Sequence, residues 1–408
     1  MQPLGLGNRY DDYIARIFSS HDFRIEVDVL DLNEHHVGEA SFLDGQVNLQ
    51  KADGVRRTCS LTLSDPEGVL DFTGASEWSG SSVWVDRLIR VRHVVNVPSV
   101  GDVAATVFIG PPSTFARQDA QVNVELQDKS ALALRGSTPV TVNKGMVASD
   151  AIVQILSQCT GEFRFRVPSF TRRLSRPYSV GWDDASSPWT VASRIARHEL
   201  GCQLIYSCDG YATLRRLPSR PILATTAVTS EPNTTVDFTT LSNWVRVRGK
   251  QTTTSKSPGS STVTTTTQPE SIARVKPGRT FSPESLARKG VPRFLPLLVD
   301  DDAITKVSEA RTRAQQQLDK SDRLEQAPTF ECVPFFHADV DDLVRLVLPG
   351  QDAVVRLGDA SIPLGVGGEM SIGTHLWVSQ PPGSKVTGHI RRTKKVTHHK
   401  ATKKAVKK

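Results

Sequence analysis

The sequence has few cysteines, no long apolar run and no recognisable leader. Its cysteines (Cys59, Cys159, Cys202, Cys208 and Cys332) are odd in number and scattered over 408 residues, so we predict reduced thiols and no disulfide framework. No stretch approaches the ~18 apolar residues that cross a bilayer, which argues against a membrane span. The first residues lack a basic segment followed by an apolar one, and a cleaved signal peptide is not expected.

Motifs for nucleophilic catalysis, phosphate binding and zinc are also missing. The chain has no Gly-x-Ser-x-Gly motif, and the glycine-rich segment Gly365–Gly368 lacks the Lys-Ser/Thr ending of a phosphate-binding loop. His198 lacks the second histidine that follows in a metalloprotease helix. Cys202 and Cys208 lack a second Cys or His pair, so we interpret them as small buried thiols.

Neighbouring carboxylates are present but do not indicate acid–base chemistry. Aspartates at 183–184 precede a predicted helix and those at 300–302 begin another, and a helix N-terminus favours negative charge. We therefore predict no catalytic, cofactor-binding or metal-binding residues and no enzyme activity.

Acidic residues are absent from the C-terminal segment 385–408, which contains ten Lys or Arg residues. The formal net charge of the chain is +7, but the remainder has 40 basic and 43 acidic residues, so the body is not a basic nucleic-acid-binding domain. The segment has no aromatic residue for base stacking. It is either a solvated, disordered terminus or a non-specific electrostatic contact with DNA or an acidic protein. The candidate contact residues are Arg391, Arg392, Lys394, Lys395, Lys400, Lys403, Lys404, Lys407 and Lys408.

Apolar residues alternate with polar ones over much of the first third of the chain. Runs of this kind begin at Phe23, Val47, Cys59, Ile89 and Val122 and are separated by Gly, Pro and Asp. This pattern predicts a β-barrel or sandwich over 23–136. Before it, residues 1–22 form a predicted arm with one short amphipathic helix.

Residues 137–218 have a mixed pattern that predicts a small α+β domain. Ser149 is a candidate N-cap for one helix, and Ser187, followed by proline, is a candidate N-cap for a second helix that ends at Gly201. A hairpin then turns at Asp209-Gly210.

Strand patterns resume after residue 219, notably at Trp244 to Arg248. Residues 251–270 contain eight Thr and four Ser, which predicts a long exposed hairpin tip or a disordered loop. A helix with a thin apolar face is predicted from Asp302 to about Leu324. Further strands are predicted at Phe330–Phe336, Leu343–Leu348 and Ala353–Leu357.

Several of these segments, in this order, resemble the tail-hub (baseplate-hub or minor tail) proteins of long-tailed bacteriophages, in particular siphophages of actinobacteria. The resemblance is spread over about 23–378, and no segment is a sharp motif alone. The segments are Phe23–Val27, Asp44–Leu49, Arg56–Asp65, Leu126–Lys129, Ile195–Leu217, Leu241–Val247 and Val340–Leu346. The lysine-rich tail is not part of this pattern.

The resemblance implies a mainly β chain with an α+β insertion and two tube-like β-barrels, assembled as a homotrimer whose six barrels stack on a hexameric tail tube around the DNA ejection channel. The implied partners are the distal tail or tail-tube protein, the tape-measure protein and other tail-tip proteins; the implied location is the tail tip of the virion, after synthesis in the host cytoplasm. The predicted domains are an arm (1–22), a first barrel (23–136), an α+β insertion (137–218), a second barrel (219–250 and 325–382), a Thr/Ser-rich loop with a helix (251–324) and a basic tail (383–408).

Other classes of protein share parts of this pattern. A carbohydrate-binding or host-adhesion virion protein without enzymatic activity is the main alternative, although the chain has only 26 aromatic residues and most occupy alternating core positions. A glycoside hydrolase and a nucleic-acid-binding protein remain further alternatives.

Overall fold

A computed structural model describes the chain except for its ends and several short internal segments. The described residues are 4–19, 21–52, 54–68, 70, 86–134, 138–183, 186–218, 225–230, 233–236, 241–255, 263–301, 304–321, 326–348 and 351–380. The helices are α1 (Tyr10–Phe18), α2 (Ser130–Leu134), α3 (Ala148–Thr160), α4 (Pro188–Ile195) and α5 (Val307–Ser321), with a 3-10 turn at Gly7–Arg9 and a π-helical segment at Ala196–Leu200.

Strands dominate the fold, which is mainly β with a small α+β part, as the sequence predicts. The strands are β1 (Phe23–Asp31), β2 (His36–Leu49), β3 (Arg57–Ser64), β4 (Arg87–Val97), β5 (Gly101–Gly110), β6 (Pro112–Gln118), β7 (Gln121–Gln127), β8 (Thr141–Val142), β9 (Phe165–Arg166), β10 (Tyr178–Ser179), β11 (Gln203–Tyr206), β12 (Ala212–Arg215), β13 (Thr225–Ala227), β14 (Asn233–Val236), β15 (Trp244–Arg248), β16 (Gln251–Ser255), β17 (Val263–Thr267), β18 (Glu270–Arg274), β19 (Pro296–Asp300), β20 (Gln326–Cys332), β21 (Leu343–Leu348), β22 (Gln351–Pro363) and β23 (Met370–Gln380). The chain divides into a larger unit, Met1–Asn233 with Pro328–Lys408, and a smaller unit, Thr234–Ala327.

The first strands of the larger unit close into a barrel. Antiparallel pairs run β4–β1–β2–β3–β7–β6. Strand β5 pairs with β4 and continues into β6 through Pro111, so the pairing returns to its start. Alternate residues of these strands, such as Val29, Leu61 and Val124, are buried in the core, because successive side chains of a strand point to opposite faces. The predicted strands of this region are confirmed.

The β5–β6 corner depends on a glycine. A Cβ placed on Gly110 would lie 1.9 Å from the carbonyl oxygen of Gln127 on β7, and the Gln127 amide donates to the Pro111 carbonyl across the same contact, at 3.1 Å. Only a residue without a side chain allows the two backbones to approach this closely.

We therefore expect Gly110→Ala to lower the free energy of unfolding by about 1–3 kcal/mol, because the corner must open to admit a methyl group. Denaturant unfolding followed by far-UV circular dichroism measures this. Gly38→Ala is the matched control, since a Cβ at Gly38 on β2 meets nothing within 4 Å. Equal midpoints for the two variants would contradict the expected role of the corner.

The last strands of the larger unit form a second closed set. Strand β13 pairs in parallel with β21, and antiparallel pairs continue through β22 and β23 to β20. A bridge between Val228 and Cys332 then joins β20 to the residue that follows β13. The long strand β22 also pairs with β2 of the first barrel, so both sets share one hydrophobic core.

The inserted α+β part has its own core of helices α3 and α4 and the hairpin β11–β12. Ser187 caps α4 by accepting from the Thr190 amide at 3.3 Å, as predicted. The expectation for Ser149 is wrong: the N-cap of α3 is Val147, two residues earlier, and the helix begins at Ala148. A backbone bridge between Val147 and Arg173 holds Val147 extended, so tertiary pairing overrides the cap preference of serine.

The predicted amphipathic helix of the N-terminal arm is confirmed as α1. Its buried face consists of Tyr13, Ile14 and Ile17, which pack against apolar residues of β4 and β5. Arg16 also donates from Nε to the Asn96 carbonyl at 3.1 Å. The arm is thus part of the first barrel's packing.

The smaller unit contains the sheet β18–β15–β19, with α5 packed on one face. Strand Trp244–Arg248, which the sequence pattern groups with the second barrel, is the central strand of this sheet. Within the Thr/Ser-rich segment, β16 and β17 form an antiparallel pair. Across the described ranges, no helix is both long and apolar enough to cross a membrane.

Candidate functional site

The predicted electrostatic contact residues of the basic tail, Arg391 to Lys408, lie outside the described residues, so their role stays a prediction.

The two aspartate segments predicted at helix N-termini, 183–184 and 300–302, differ in the structure. Asp183 accepts from the Ser186 amide at 2.7 Å in a turn before α4. Asp300 lies at the end of β19 and pairs with Arg248 at 2.9 Å, whereas Glu309 is the acidic residue in the first turn of α5. The predicted dipole role of 300–302 is therefore wrong for Asp300.

The cysteines of this chain are poor candidates for nucleophiles. All five are free, and Cys59, Cys202, Cys208 and Cys332 are buried. Burial raises the pKa of the Cys59 and Cys208 thiols far above the usual range. It also raises the pKa of the Cys332 thiol, to about 12. A thiol that stays protonated at neutral pH is neither a good nucleophile nor a good metal ligand.

One group of potential metal ligands stands out within the described ranges: Asp28, His36 and Glu39, whose ligand atoms lie within 4.8 Å of one another. Asp28 is already paired with Arg90 at 2.8 Å and with Arg92 at 2.9 Å. Two guanidinium groups supply the positive charge that a cation would bring. The arrangement is a cross-strand ion-pair network on β1, β2 and β4.

The strongest concentration of buried charge among the described residues lies where the two closed sets of strands and the inserted domain meet. Arg57, at the start of β3, donates to the carbonyl oxygens of Val107 at 2.8 Å and Ala338 at 2.6 Å. It also pairs with Asp339 at 2.8 Å, and the two side chains are only 3% and 6% exposed. Because every contact is buried, Arg57 fixes the first barrel to the segment that precedes β21.

The neighbouring aspartates of this segment bind the inserted hairpin. Arg215 of β12 donates to Asp342 at 2.8 Å and to the Val340 carbonyl. Gln203 of β11 donates to Asp341 at 3.0 Å. Asp341 has a positive φ of 68°, a conformation that costs free energy for a residue other than glycine. The contacts of Asp341 and its neighbours stabilise this turn.

Asp128 completes the junction from the end of β7. Its carboxylate accepts from the amides of Arg56 at 2.8 Å, Arg57 at 2.9 Å and Ser130 at 2.9 Å. Burial raises the pKa of this carboxyl despite the donors around it. Asp128 therefore ties the start of β3 to the start of α2. We define the junction as Arg56, Arg57, Asp128, Gln203, Arg215, Asp339, Asp341 and Asp342.

A second buried ion cluster joins the first barrel to the inserted domain. Lys129 lies 2.7 Å from Glu34 in the β1–β2 turn and 2.7 Å from Glu162 after α3. It also donates to the Gly210 carbonyl in the predicted hairpin turn, at 3.2 Å. Arg164 pairs with Glu34 as well. One ammonium group thus connects three chain segments.

Two histidines are buried near the N-terminal arm: His337 lies against α1, whereas His93 of β4 lies against His21 and Phe23, which follow α1. His337 is completely buried, and its Nε2 lies 2.8 Å from the hydroxyl of Tyr10. His93 is 1% exposed and stacks on Phe336 with ring centroids 3.8 Å apart. Burial lowers the pKa of His93 to about 3 and that of His337 to about 4. The Nδ1 atoms of both rings lack a hydrogen-bond partner among the described residues.

The buried charges of the larger unit are hydrogen-bonded to each other and to backbone, and they join segments that are distant in the sequence. The junction also brings together several segments that carry the family resemblance: Arg56-Arg57, Asp128, the hairpin at 203–215 and Asp341-Asp342. Sequence reasoning identified the segments but missed the pairs, because nothing local links Arg57 to a residue 282 positions away.

Comparisons with known proteins identify the fold. No family model matches the sequence, and no curated protein matches it. Among solved structures, the chain is similar to the 43 kDa tail protein of prophage MuSo2 from Shewanella oneidensis, with a TM-score of 0.53 and 11% identity over 86% of this chain and 98% of that one.

A tail protein from Neisseria meningitidis MC58 is similar to the same degree. Its TM-score is 0.53, with 13% identity over 86% of this chain and 96% of that one. Both alignments span nearly the whole of the other protein. The chain therefore shares the mainly β fold of these tail proteins.

Proposed function

We propose that this protein is a structural component of a bacteriophage tail, and more specifically the tail hub: a homotrimeric ring that joins the hexameric tail tube to the three-fold tail tip and surrounds the DNA ejection channel. The fold similarity to two tail proteins over 86% of the chain supports the tail assignment. The order of the resembling segments further favours a siphophage of actinobacteria.

One observation carries the hub proposal. A single chain holds two closed sets of strands, joined by β2–β22 pairing and fixed by the buried Arg57–Asp339 pair. Three such chains contribute six barrels, which is the number that a six-fold tube requires. The rigid connection matters because both barrels of a chain must present their ends to the tube in one plane.

The charge distribution suits a channel for DNA. Residues 23–136 contain ten basic and 16 acidic side chains, and residues 328–384 contain two basic and seven acidic. Phosphates bind tightly to cationic surfaces in a salt-dependent way. A ring built from acidic barrels would repel the passing DNA and would not retain it during ejection.

The remaining assignments follow from this role. The ring would contact the distal tail or tail-tube protein on one side, the tape-measure protein within and other tail-tip proteins below. It would be located at the tail tip of the virion after synthesis in the host cytoplasm. The role is structural and needs no active site. The basic tail would add a non-specific contact with DNA or an acidic neighbour.

The native mass of the purified protein tests the ring. We expect a particle of three chains of 44.7 kDa each by light scattering, at both 50 mM and 1 M salt, because barrel faces would hold it by apolar and hydrogen-bonded contacts. A chain ending at Ser384, which lacks the basic segment, is the control for charge-driven aggregation and should give the same trimer.

Negative-stain images of the same samples should show annular particles with six-fold pseudo-symmetry. Monomers at both salt concentrations and at protein concentrations up to 100 µM, without annular particles, would contradict the trimeric ring. If the native mass rises only at low salt, and only for the full chain, the association is due to the basic tail. That result would also contradict the trimeric ring.

A further inference from the structure

The inserted domain differs in charge from the barrels around it. Residues 137–218 contain ten basic and six acidic side chains. Three of the acids, Glu162, Glu199 and Asp209, are buried in contacts with basic or hydroxyl side chains of the domain or its neighbour. Among the described acids of the domain, Asp150 and Asp183 are exposed. Arg164, Arg166 and Arg215 are likewise paired with acids, so the remaining side chains of the domain keep an excess of bases.

Three of the five exposed bases among the described residues of the domain, Lys144, Arg172 and Arg173, lie on one small structure, and the half-buried Arg176 lies beside them. The segments 143–148 and 171–176 run side by side, joined by backbone hydrogen bonds from Gly145 to Leu174 at 3.0 Å, from Leu174 to Met146 at 2.8 Å and from Ala148 to Arg172 at 2.9 Å. We define the basic ribbon as Lys144, Arg172, Arg173 and Arg176 on these segments.

Contacts beneath the ribbon hold it in place. The buried carboxylate of Glu199, in the π-helical segment, accepts from the Ser175 amide at 3.1 Å, the Ser175 hydroxyl at 2.5 Å and the Tyr178 hydroxyl at 3.1 Å. Its other oxygen lies 3.7 Å from Nε of Arg172, whose side chain is still 63% exposed. A fixed backbone reduces the entropy that the arginines lose when they bind a ligand.

The side chains of the ribbon are also partly oriented. Arg173 donates to the Gly145 carbonyl at 2.7 Å, and the guanidinium of Arg176 lies 4.9 Å from the centre of the Tyr178 ring. Three of the four bases are arginines, whose planar donors match the oxygens of phosphate in a bidentate way. The two segments contain no aromatic residue on which a base could stack.

We propose that the basic ribbon of the inserted domain binds a repeating phosphodiester chain through its backbone phosphates. Three arginines within five residues of one segment can contact neighbouring phosphates, and the lack of aromatic side chains on the two segments suits a contact that does not read bases. Two sources supply this chemistry, double-stranded DNA and the polyol-phosphate polymers of a cell envelope. The site goes beyond the ring function and is separate from the basic C-terminal tail.

Binding of the full chain to three probes tests the proposal. The probes are poly(glycerol phosphate), a 30-base-pair DNA and polyglutamate of similar charge, each followed by fluorescence anisotropy from 25 to 200 mM salt. The ribbon variant is Arg172→Gln/Arg173→Gln/Arg176→Gln. The matched control is Arg9→Gln/Arg24→Gln/Arg216→Gln, which removes three exposed arginines elsewhere on the larger unit.

We expect the ribbon variant to bind at least one phosphodiester probe ten-fold or more weakly than the parent chain. The slope of log K against log salt should be smaller by about 2–3, because each arginine that no longer binds a phosphate leaves about one counterion in place. The control should stay within three-fold. All variants retain the basic tail, so the difference reports the ribbon, and equal thermal melting confirms that the variants are folded.

The pattern across probes decides the source. Loss confined to DNA assigns the ribbon to DNA, and loss confined to poly(glycerol phosphate) assigns it to an envelope polymer. Equal loss for polyglutamate would overturn the phosphodiester assignment and indicate an acidic protein partner. Equal binding by the ribbon and control variants would overturn the site altogether.

Discussion

Replacing Arg57 by methionine should lower the free energy of unfolding of the larger unit by about 3–5 kcal/mol, because the change leaves a buried carboxylate without its partner. Asp339 is 6% exposed and pairs with Arg57 at 2.8 Å. Two carbonyl oxygens, of Val107 and Ala338, would also lose their donor. Methionine keeps much of the side-chain volume, so the loss reports charge and hydrogen bonds. Denaturant unfolding at pH 7.5, followed by far-UV circular dichroism, measures the effect.

A second substitution separates charge from packing. The double variant Arg57→Met/Asp339→Leu should recover part of the loss, because removal of both buried charges leaves no unpaired ion. Arg24→Met is the surface control, because Arg24 also pairs with two carboxylates but is exposed to solvent. The denaturation midpoint of this variant should stay close to that of the parent chain. If the double variant lost more free energy of unfolding than the two single variants lose together, the ion pair would not be the source of the effect.

The junction also bears on the proposed ring. If Arg57 fixes the relative position of the two closed sets of strands, its loss should disturb assembly before it unfolds either set. The reason is mechanical: the β2–β22 pairing spans only four residue pairs, Gln46–Leu49 with Ala360–Pro363. The buried ion pair is a further attachment between the sets.

Local patterns in the sequence predict the local parts of this structure. Period-two alternation predicts β1, β3 and β7, since one face of each strand is buried, as Cys59, Leu61 and Leu63 show. The Asp209-Gly210 turn and the Ser187 cap are likewise predicted, because their chemistry lies within four residues. Ser149 fails as a cap because Val147, two residues before it, forms a backbone bridge with Arg173, 26 positions further along the chain.

Non-local features could not be predicted in the same way. The closure of the first barrel depends on the close approach of the Gln127 backbone to Gly110. No local sequence pattern shows which glycine lies against the backbone of another strand. The sequence around Lys129 predicts only an exposed charge after a strand, yet its side chain pairs with Glu34 and Glu162 in buried contacts. Burial of a charge depends on partners that the fold brings together, and one sequence does not identify them.

The free energy of unfolding should fall by about 4 kcal/mol between pH 8 and pH 5 through His93 and His337 alone. Burial lowers the pKa of His93 to about 3 and that of His337 to about 4. In the unfolded chain both have an ordinary pKa of about 6.5. Between these values the unfolded chain binds protons that the folded chain does not, so acid favours unfolding. The contribution is fully present above pH 7 and is lost progressively as the pH falls toward 4.

His337 lies against α1, so its part of the acid effect should begin there. His337 contacts Tyr10 through a 2.8 Å hydrogen bond, and its ring lies edge-on to Tyr13, 5.8 Å between centroids. Protonation would place a charge among these rings and the apolar residues of β4 and β5. The protection factors of α1 amides, which are corrected for the intrinsic pH dependence of exchange, should therefore fall at pH 5 before those of β3 or β7 do.

His93→Phe isolates one of the two groups. Phenylalanine can keep the stacking on Phe336 and does not titrate, so the variant should lose about half of the pH dependence between pH 8 and 5. His35→Gln is the matched control, since His35 is 79% exposed and its replacement leaves the surroundings of both buried rings intact. Denaturant midpoints at half-unit pH steps measure both. A His93→Phe profile that is parallel to that of the parent chain would mean that His93 is already charged or solvated when folded, and the acid sensitivity of α1 packing would then depend on His337 alone.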